Sequence, residues 1–361
     1  MNVLGCLEAI KTDDADCWDE TLKEIGEYDF FHLAAFHRLA EMRGEGSAAL
    51  LVYRESSYIM AFPLLLRNID LPFLEKTDYK DATSVKGLAG PVASTADLPD
   101  DVKKRFHQHL QDYFEQNHIL SVYSRLNPLM KQPALLKGYG EVVEIGVTVS
   151  IDLTPPPDVQ FARYRKDHKY NIKRLQKMGF VCERAGIEGL DDFMPVYIET
   201  MNRLNADEVY YYDKSYFEYL LREMPDVMCL FICKDGEKVV SIKICAECNG
   251  IVESYLSGTT AEYLKLAPAK LINDEMRIWA NEIGAKTLHL GGSVGGRRDS
   301  LYEYKMGFGG QEHVYSTWRH IVDQEKYNAF CQEAWQKAGE KLDDSYFPSY
   351  RNPFLSMAAV L

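Results

Sequence analysis

Val227-Met-Cys-Leu-Phe-Ile-Cys-Lys-Asp-Gly-Glu-Lys-Val-Val-Ser-Ile-Lys-Ile-Cys245 is the stretch that decides the fold class. Residues 227–233 and 239–245 are rich in β-branched and aromatic side chains. Between them Asp235-Gly236 supplies the positive φ that a tight hairpin turn needs. Working outward, Asn249-Gly250 is a second turn and opens a third strand over 251–256. In 268–283, Ile272, Met276, Trp279 and Ile283 recur at spacings of 4, 3 and 4, one face of an amphipathic helix. Past Gly284, Lys286-Thr-Leu-His-Leu290 reads as a strand, and upstream of the hairpin helices are expected over 190–204 and 214–223. Helix, helix, antiparallel strands, helix, strand is an α+β order. It is not the βαβ alternation of a dinucleotide fold.

The first half of the chain repeats that order. Helices are expected at 14–25 and 33–42, the second with Leu33, Phe36, Leu39 and Ala40 on one face. Strands at 48–53 and 58–66 flank Arg54-Glu-Ser-Ser57, and a helix over 100–117 leads into a strand at 118–123. Corresponding elements lie about 165 to 180 residues apart, the spacing of a diverged tandem repeat. Thr154-Pro-Pro-Pro157 can continue neither a strand nor a helix interior, so the boundary is expected there. The expected domains are 1–153 and 158–340, with a tail at 341–361.

Composition agrees with two globular domains. The chain has 361 residues, 46% hydrophobic and 26% charged, values that exclude a disordered or coiled-coil protein. The longest apolar run, 58–66, is broken by Pro63 and is too short to span a bilayer. With no basic-then-apolar leader at the start, the expectation is a soluble cytoplasmic protein without a membrane span. A net charge of −13 excludes a broadly basic surface but leaves room for one local basic groove. Four of the eight cysteines, Cys229, Cys233, Cys245 and Cys248, have the look of a zinc site. On a strand, however, Cys229 and Cys233 stand roughly 13 Å apart, too far for one tetrahedral metal. They read as small core residues, and no metal is expected.

Three segments stand out chemically. Arg163 to Lys177 carries seven Lys or Arg against one Asp in an otherwise acidic chain, and on a helix Arg163, Lys166 and Lys169 suit an anion. The start of the 268–283 helix is an anion seat by its dipole, but Pro268 removes a donor and no glycine lets a pyrophosphate approach. Gly291-Gly-Ser-Val-Gly-Gly-Arg-Arg-Asp-Ser-Leu-Tyr-Glu-Tyr-Lys-Met-Gly-Phe-Gly-Gly310 has seven glycines around Arg297, Arg298, Tyr304 and Lys305. Its spacing fits neither a dinucleotide fingerprint nor a P-loop. In Tyr210-Tyr-Tyr-Asp-Lys-Ser-Tyr-Phe217, Tyr216 and Phe217 fall at helical spacing with Leu220 and read as core.

The run Leu288-His-Leu-Gly-Gly292 followed by Asp299-Ser-Leu-Tyr-Glu-Tyr-Lys-Met-Gly-Phe-Gly-Gly310 resembles the C-terminal signature of the Fem-type (FemAB-like) aminoacyl transferases and their GNAT-like acetyltransferase relatives. Tyr263-Leu-Lys-Leu-Ala-Pro-Ala-Lys-Leu271, Asn171-Ile-Lys-Arg-Leu-Gln-Lys-Met-Gly-Phe180 and Phe31-His-Leu-Ala-Ala-Phe-His37 resemble the same family. The resemblance implies two tandem GNAT-like domains with mixed, mostly antiparallel sheets flanked by helices, and an acceptor groove between or across them. It implies transfer of an acyl or aminoacyl group, with acyl-CoA or aminoacyl-tRNA as co-substrate and no tightly bound cofactor. The acceptor would be a small-molecule or peptide amine, such as a cell-wall (peptidoglycan) peptide precursor. No long heptad hairpin, the arm some members carry, interrupts the second half.

Ester-to-amide transfer needs a neutral amine, oxyanion stabilisation and protonation of the leaving hydroxyl. The matching family position gives Lys305 the charge at the oxyanion or donor phosphate, with Tyr304 packed beside the donor. Tyr255, in Glu253-Ser-Tyr-Leu-Ser257, sits where this fold presents its reaction centre. Arg297, Arg298, Lys166, Lys169, Arg163, Gly291 and Gly292 are expected to bind substrate. The alternative is a non-catalytic tandem module that binds a nucleotide-sugar, a peptide or a protein partner.

Overall fold

The computed structural model describes residues 5–71, 74–338 and 346–352. Its elements in the first half are β1 (Cys6–Ile10), α1 (Ala15–Ile25), α2 (Ala34–Met42), β2 (Ser47–Glu55), β3 (Tyr58–Asn68), β4 (Lys80–Thr83), β5 (Val92–Ala93), α3 (Asp100–Gln116), β6 (Ile119–Arg125) and α4 (Gln132–Leu135). There follow β7 (Glu141–Asp152), α5 (Pro157–Ala162), α6 (Lys166–Lys177), β8 (Val181–Ala185), α7 (Leu190–Leu204), α8 (Lys214–Glu223), β9 (Met228–Asp235), β10 (Lys238–Cys248) and β11 (Ile251–Thr259). The last are α9 (Ala269–Glu282), β12 (Thr287–Gly292), α10 (Ser300–Met306), β13 (Gln311–Ile321) and α11 (Gln324–Ala338).

The chain forms two compact units, Met1–Ile145 with Tyr315–Leu361, and Gly146–Val314. The division falls inside β7 and again inside β13, whereas the sequence reading puts one boundary at the three prolines and leaves 315–340 with the second domain. The prolines do end a strand, but that strand is β7, most of whose ladder belongs to the second unit. Pro157 then serves as the first residue of α5, where its missing N–H costs nothing. Only part of the expected tail, 346–352, lies among the described residues.

Both units show the repeat. In the first, β2, β3 and β4 are successive antiparallel neighbours, α3 follows, and β6 returns parallel to β4. Phe106, Leu110 and Phe114 of α3 pack against Tyr53, Phe62, Leu64 and Trp318. In the second, β8, β9, β10 and β11 are antiparallel neighbours, α9 follows, and β12 returns parallel to β11 and antiparallel to β7. Leu271, Ile272, Met276 and Trp279 of α9, with Ile172 and Leu175 of α6, bury one face of this sheet. Phe193 and Tyr197 of α7 and Phe217 of α8 form an aromatic cluster with ring centroids 4.8 to 5.7 Å apart. Tyr216, Phe217 and Leu220 are buried, as their helical spacing predicts.

α5 and the turn that follows it are tied to α9 by a buried polar array. Arg277 pairs with Asp274 at 2.8 Å and donates to the Tyr164 hydroxyl (2.9 Å), the Gln160 side-chain oxygen (3.1 Å) and the Pro157 carbonyl (3.2 Å). Removing the guanidinium strands a buried carboxylate. Arg277→Ala is therefore expected to cost about 3–5 kcal/mol in urea unfolding. The double variant Asp274→Leu/Arg277→Met should cost less than the single one, and equal losses would mean the array contributes only packing.

Candidate functional site

Parallel pairing of β11 with β12 covers only Ile251–Glu253 opposite Thr287–His289. Beyond this point β11 continues to Thr259 against β10 alone, while Gly291 and Gly292 of β12 lie opposite Val149 and Thr148 of β7. The two strands therefore part, and the edge of β11 from Ser254 onward has no strand beside it among the described residues. The register of β11 on β10 steps from Leu256↔Ile244 to Ser254↔Cys245, which makes Tyr255 the extra residue of a bulge and bends the strand where the gap opens. The matching pair in the first unit does not part. β4 stays bonded to β6 along its whole length, and Ser84 N–H extends the ladder to the Tyr123 carbonyl at 2.9 Å.

Polar side chains collect at the gap. Asp299 caps α10 by accepting from the amides of Leu301 (2.9 Å) and Tyr302 (3.0 Å), so this short helix holds Tyr304 and Lys305 firmly. Lys305 Nζ donates to the Gly292 carbonyl at 2.6 Å. Burial pushes its pKa down to about 8, against the pull of Asp299 and Glu253. Gly291 has φ +70°, and a Cβ there would stand 3.6 Å from that ammonium. Lys243 of β10 is buried and donates to Ser254 Oγ (2.9 Å) and Asn273 Oδ1 (2.5 Å). Its pKa falls to about 7, mainly through burial and then through Lys305. Asn273 Nδ2 donates to the Tyr304 hydroxyl at 3.0 Å.

The backbone at the start of α9 is already engaged. Lys270 N–H donates to Ala267 O (3.0 Å), and Leu271 and Ile272 N–H donate to Pro268 O (2.9 and 3.2 Å). The Ala261 amide donates to the Glu199 carboxylate at 2.7 Å. A pyrophosphate finds few free amides here.

Residues 162–306 match the acetyltransferase (GNAT) domain family. The second unit carries a GNAT domain. Over the whole chain the fold is that of the Fem-type proteins: FemX aligns with a TM-score of 0.68 at 13% identity, covering 90% of this chain and 99% of its own. The C-terminal domain of a putative lysylphosphatidylglycerol synthetase from Agrobacterium fabrum gives 0.54 at 12% identity, covering 89% and 96%. L-PGS from Bacillus licheniformis gives 0.53 at 12% identity, covering 86% and 93%. No curated protein matches the chain by sequence.

Within the GNAT domain the residues singled out by sequence divide into two sets. Lys305, Tyr304, Gly291 and Gly292 do meet at the gap. Tyr255 lies on its β11 wall, but its hydroxyl is bonded to that of Tyr216 on α8, and burial drives its pKa well up. Arg298 is engaged by Glu312 at 2.7 and 2.9 Å, with Tyr302 bonded to the same carboxylate. Arg297 is exposed on the loop. Arg163 falls in the turn between α5 and α6, 3.9 Å from Asp152, Lys169 donates to the Ala162 carbonyl at 3.0 Å, and Lys166 is exposed at the start of α6. Cys229 and Cys233 share β9 as expected. Among the described residues no three His, Cys, Asp or Glu are grouped to hold a metal, and no helix is long and apolar enough to cross a membrane.

Lys243, Asn273, Ser254, Glu253 and His289 are not singled out as site residues by the sequence. Lys243 alone carries a signal, a cation set between Ile242 and Ile244 in the middle of a strand. Asn273 is hidden on the apolar face of α9, and Glu253 and His289 meet only through the parallel register.

The start of α6 docks on α10. His168 Nε2 donates to the Tyr304 carbonyl at 2.9 Å and Arg165 N–H to the Gly307 carbonyl at 2.8 Å. A Cβ at Gly307 would meet the His168 ring at 2.6 Å. Gly307→Ala is expected to lower stability by about 1–3 kcal/mol in thermal unfolding, and in a His168→Ala background the same change should cost much less.

Proposed function

We propose that the protein is an aminoacyltransferase that moves an aminoacyl group from an activated ester donor, aminoacyl-tRNA, onto an amine acceptor, with the donor's acyl end in the gap between β11 and β12. The observation that carries this reading is the parted strand pair with the Lys305 ammonium at its rim. The free edge of β11 offers main-chain donors and acceptors to an extended acyl group. Lys305 lies beside the place where negative charge develops when an amine attacks the carbonyl, and a pre-placed cation in a part-desolvated site stabilises that charge strongly. Lys243, Asn273 and Tyr304 form a hydrogen-bonded chain that ends on Ser254 of β11.

The engaged amides at α9 and at Ala261 disfavour a coenzyme A pyrophosphate and favour a donor held by side chains. Lys166, Arg297 and Lys169 are the side chains we assign to the donor's or acceptor's phosphates. The resemblance of residues 288–292 and 299–310 to the Fem-type signature favours a peptide amine, such as that of a cell-wall precursor, as acceptor.

Filter binding should retain charged tRNA in a salt-sensitive way that Lys166→Glu weakens, while acetyl-CoA leaves thermal stability unchanged. Stabilisation by acetyl-CoA without tRNA retention would replace the donor. Lys305→Met is expected to slow transfer by about 10²- to 10³-fold. Because Lys305 is cationic below its pKa of about 8 and neutral above it, transfer to hydroxylamine should fall as pH rises through 8. Lys305→Arg should remove that fall, and a fall that persists would assign it to another group.

A further inference from the structure

Glu253 on β11, His289 on β12 and Ser150 on β7 stand opposite one another in the strand register, so their side chains share one face of the sheet. Leu288, next to His289, points to the other face and packs in the core with Leu271 and Met276. His289 is 1% exposed and its Nδ1 is held by both Glu253 oxygens, at 2.7 and 2.9 Å. That carboxylate fixes the tautomer, with the proton on Nδ1 and the lone pair on Nε2. Nε2 is buried without a hydrogen-bond partner, as is the Thr148 hydroxyl two residues before Ser150 on the same face of β7. Two orphaned polar atoms on one face are costly unless a ligand or water reaches them. The adjoining wall is Gly291 and Gly292, which present only backbone, and the parallel strands separate directly after the Glu253–His289 pair.

Resting on the acyl-transfer reading above, we infer that His289 Nε2 is the base that takes the proton of the acceptor ammonium, with Glu253 as its positioning residue. The acceptor R–NH3+ gives one proton to Nε2. The neutral amine then forms the C–N bond at the ester carbonyl. As the C–O bond breaks, a second proton leaves nitrogen for the departing hydroxyl oxygen, and His289 returns its own proton to water. The ionisable groups facing the pair are His313 from β13, whose Nε2 bonds Ser150 Oγ at 2.7 Å, Lys305 from α10, which senses Glu253, and Tyr255 further along β11.

The test compares two amines with one aminoacyl-tRNA donor, alanyl-tRNA: Nα-acetyl-lysine amide, which is an ammonium at neutral pH, and hydroxylamine, which is already neutral. His289→Gln is expected to slow transfer to the lysine amine by about 10²- to 10⁴-fold and to leave transfer to hydroxylamine within a few-fold. Added imidazole should partly restore the lysine reaction in His289→Ala. Glu253→Gln should show the same amine selectivity more weakly, and it keeps the test open if the His289 variants fold poorly. Equal losses with both amines would overturn the assignment and leave acyl transfer standing. Failure of the wild-type protein with both amines would remove the acyl-transfer reading, and the base assignment with it.

Discussion

The site depends on two parallel strands that stop pairing partway along their length. Backbone N–H and C=O groups seldom go unsatisfied in a folded interior, so an edge opened within a sheet is costly unless something else bonds to it. Here β11 and β12 pair at Ile251–Glu253 and Thr287–His289 and then diverge, with a bulge at Tyr255 turning one strand and the glycines at 291 and 292 letting the other lean onto β7. The first unit has the same order of elements but keeps its β4–β6 ladder closed. One topology thus appears twice, and the parted strand pair appears in the second copy.

The chemistry follows from what lines that opening. Lys243 and Lys305 are drawn below the ordinary lysine range by burial, and for Lys243 the neighbouring ammonium adds to the effect. Neither makes an ion pair with a carboxylate among the described residues: Lys243 is held by a hydroxyl and an amide oxygen, and Lys305 by a carbonyl. A cation satisfied by neutral acceptors keeps its field for an incoming negative charge, whereas Arg298, engaged by Glu312, does not. The carboxylate that is present, Glu253, is turned to His289.

Much of the fold is legible in the sequence because the signals are local. The Asp235-Gly236 and Asn249-Gly250 turns set β9 to β11, the 4-3-4 apolar spacing sets α9, and the repeat of that order sets the first unit. β7 and β13 are not singled out, because their pairing partners are distant in the chain and their alternation is partly exposed. The domain boundary shifts for the same reason: three prolines end a strand without saying to which unit it belongs. Of the site, Lys305, Tyr304, Gly291 and Gly292 are legible since they stand in one glycine-rich run. Glu253 and His289, 36 residues apart, become neighbours only through a parallel crossover, and a lone histidine in a short strand carries no mark of its partner.

The most direct test of where the donor sits is a crystal structure of the full chain with an amide-linked alanyl-adenosine, which mimics the charged end of tRNA and cannot transfer its acyl group. The acyl carbonyl is expected between the free edge of β11 beyond Ser254 and the backbone of Gly292, with Lys305 Nζ turned onto its oxygen. An analogue seated at the N-terminus of α9, or in the first unit, would contradict it.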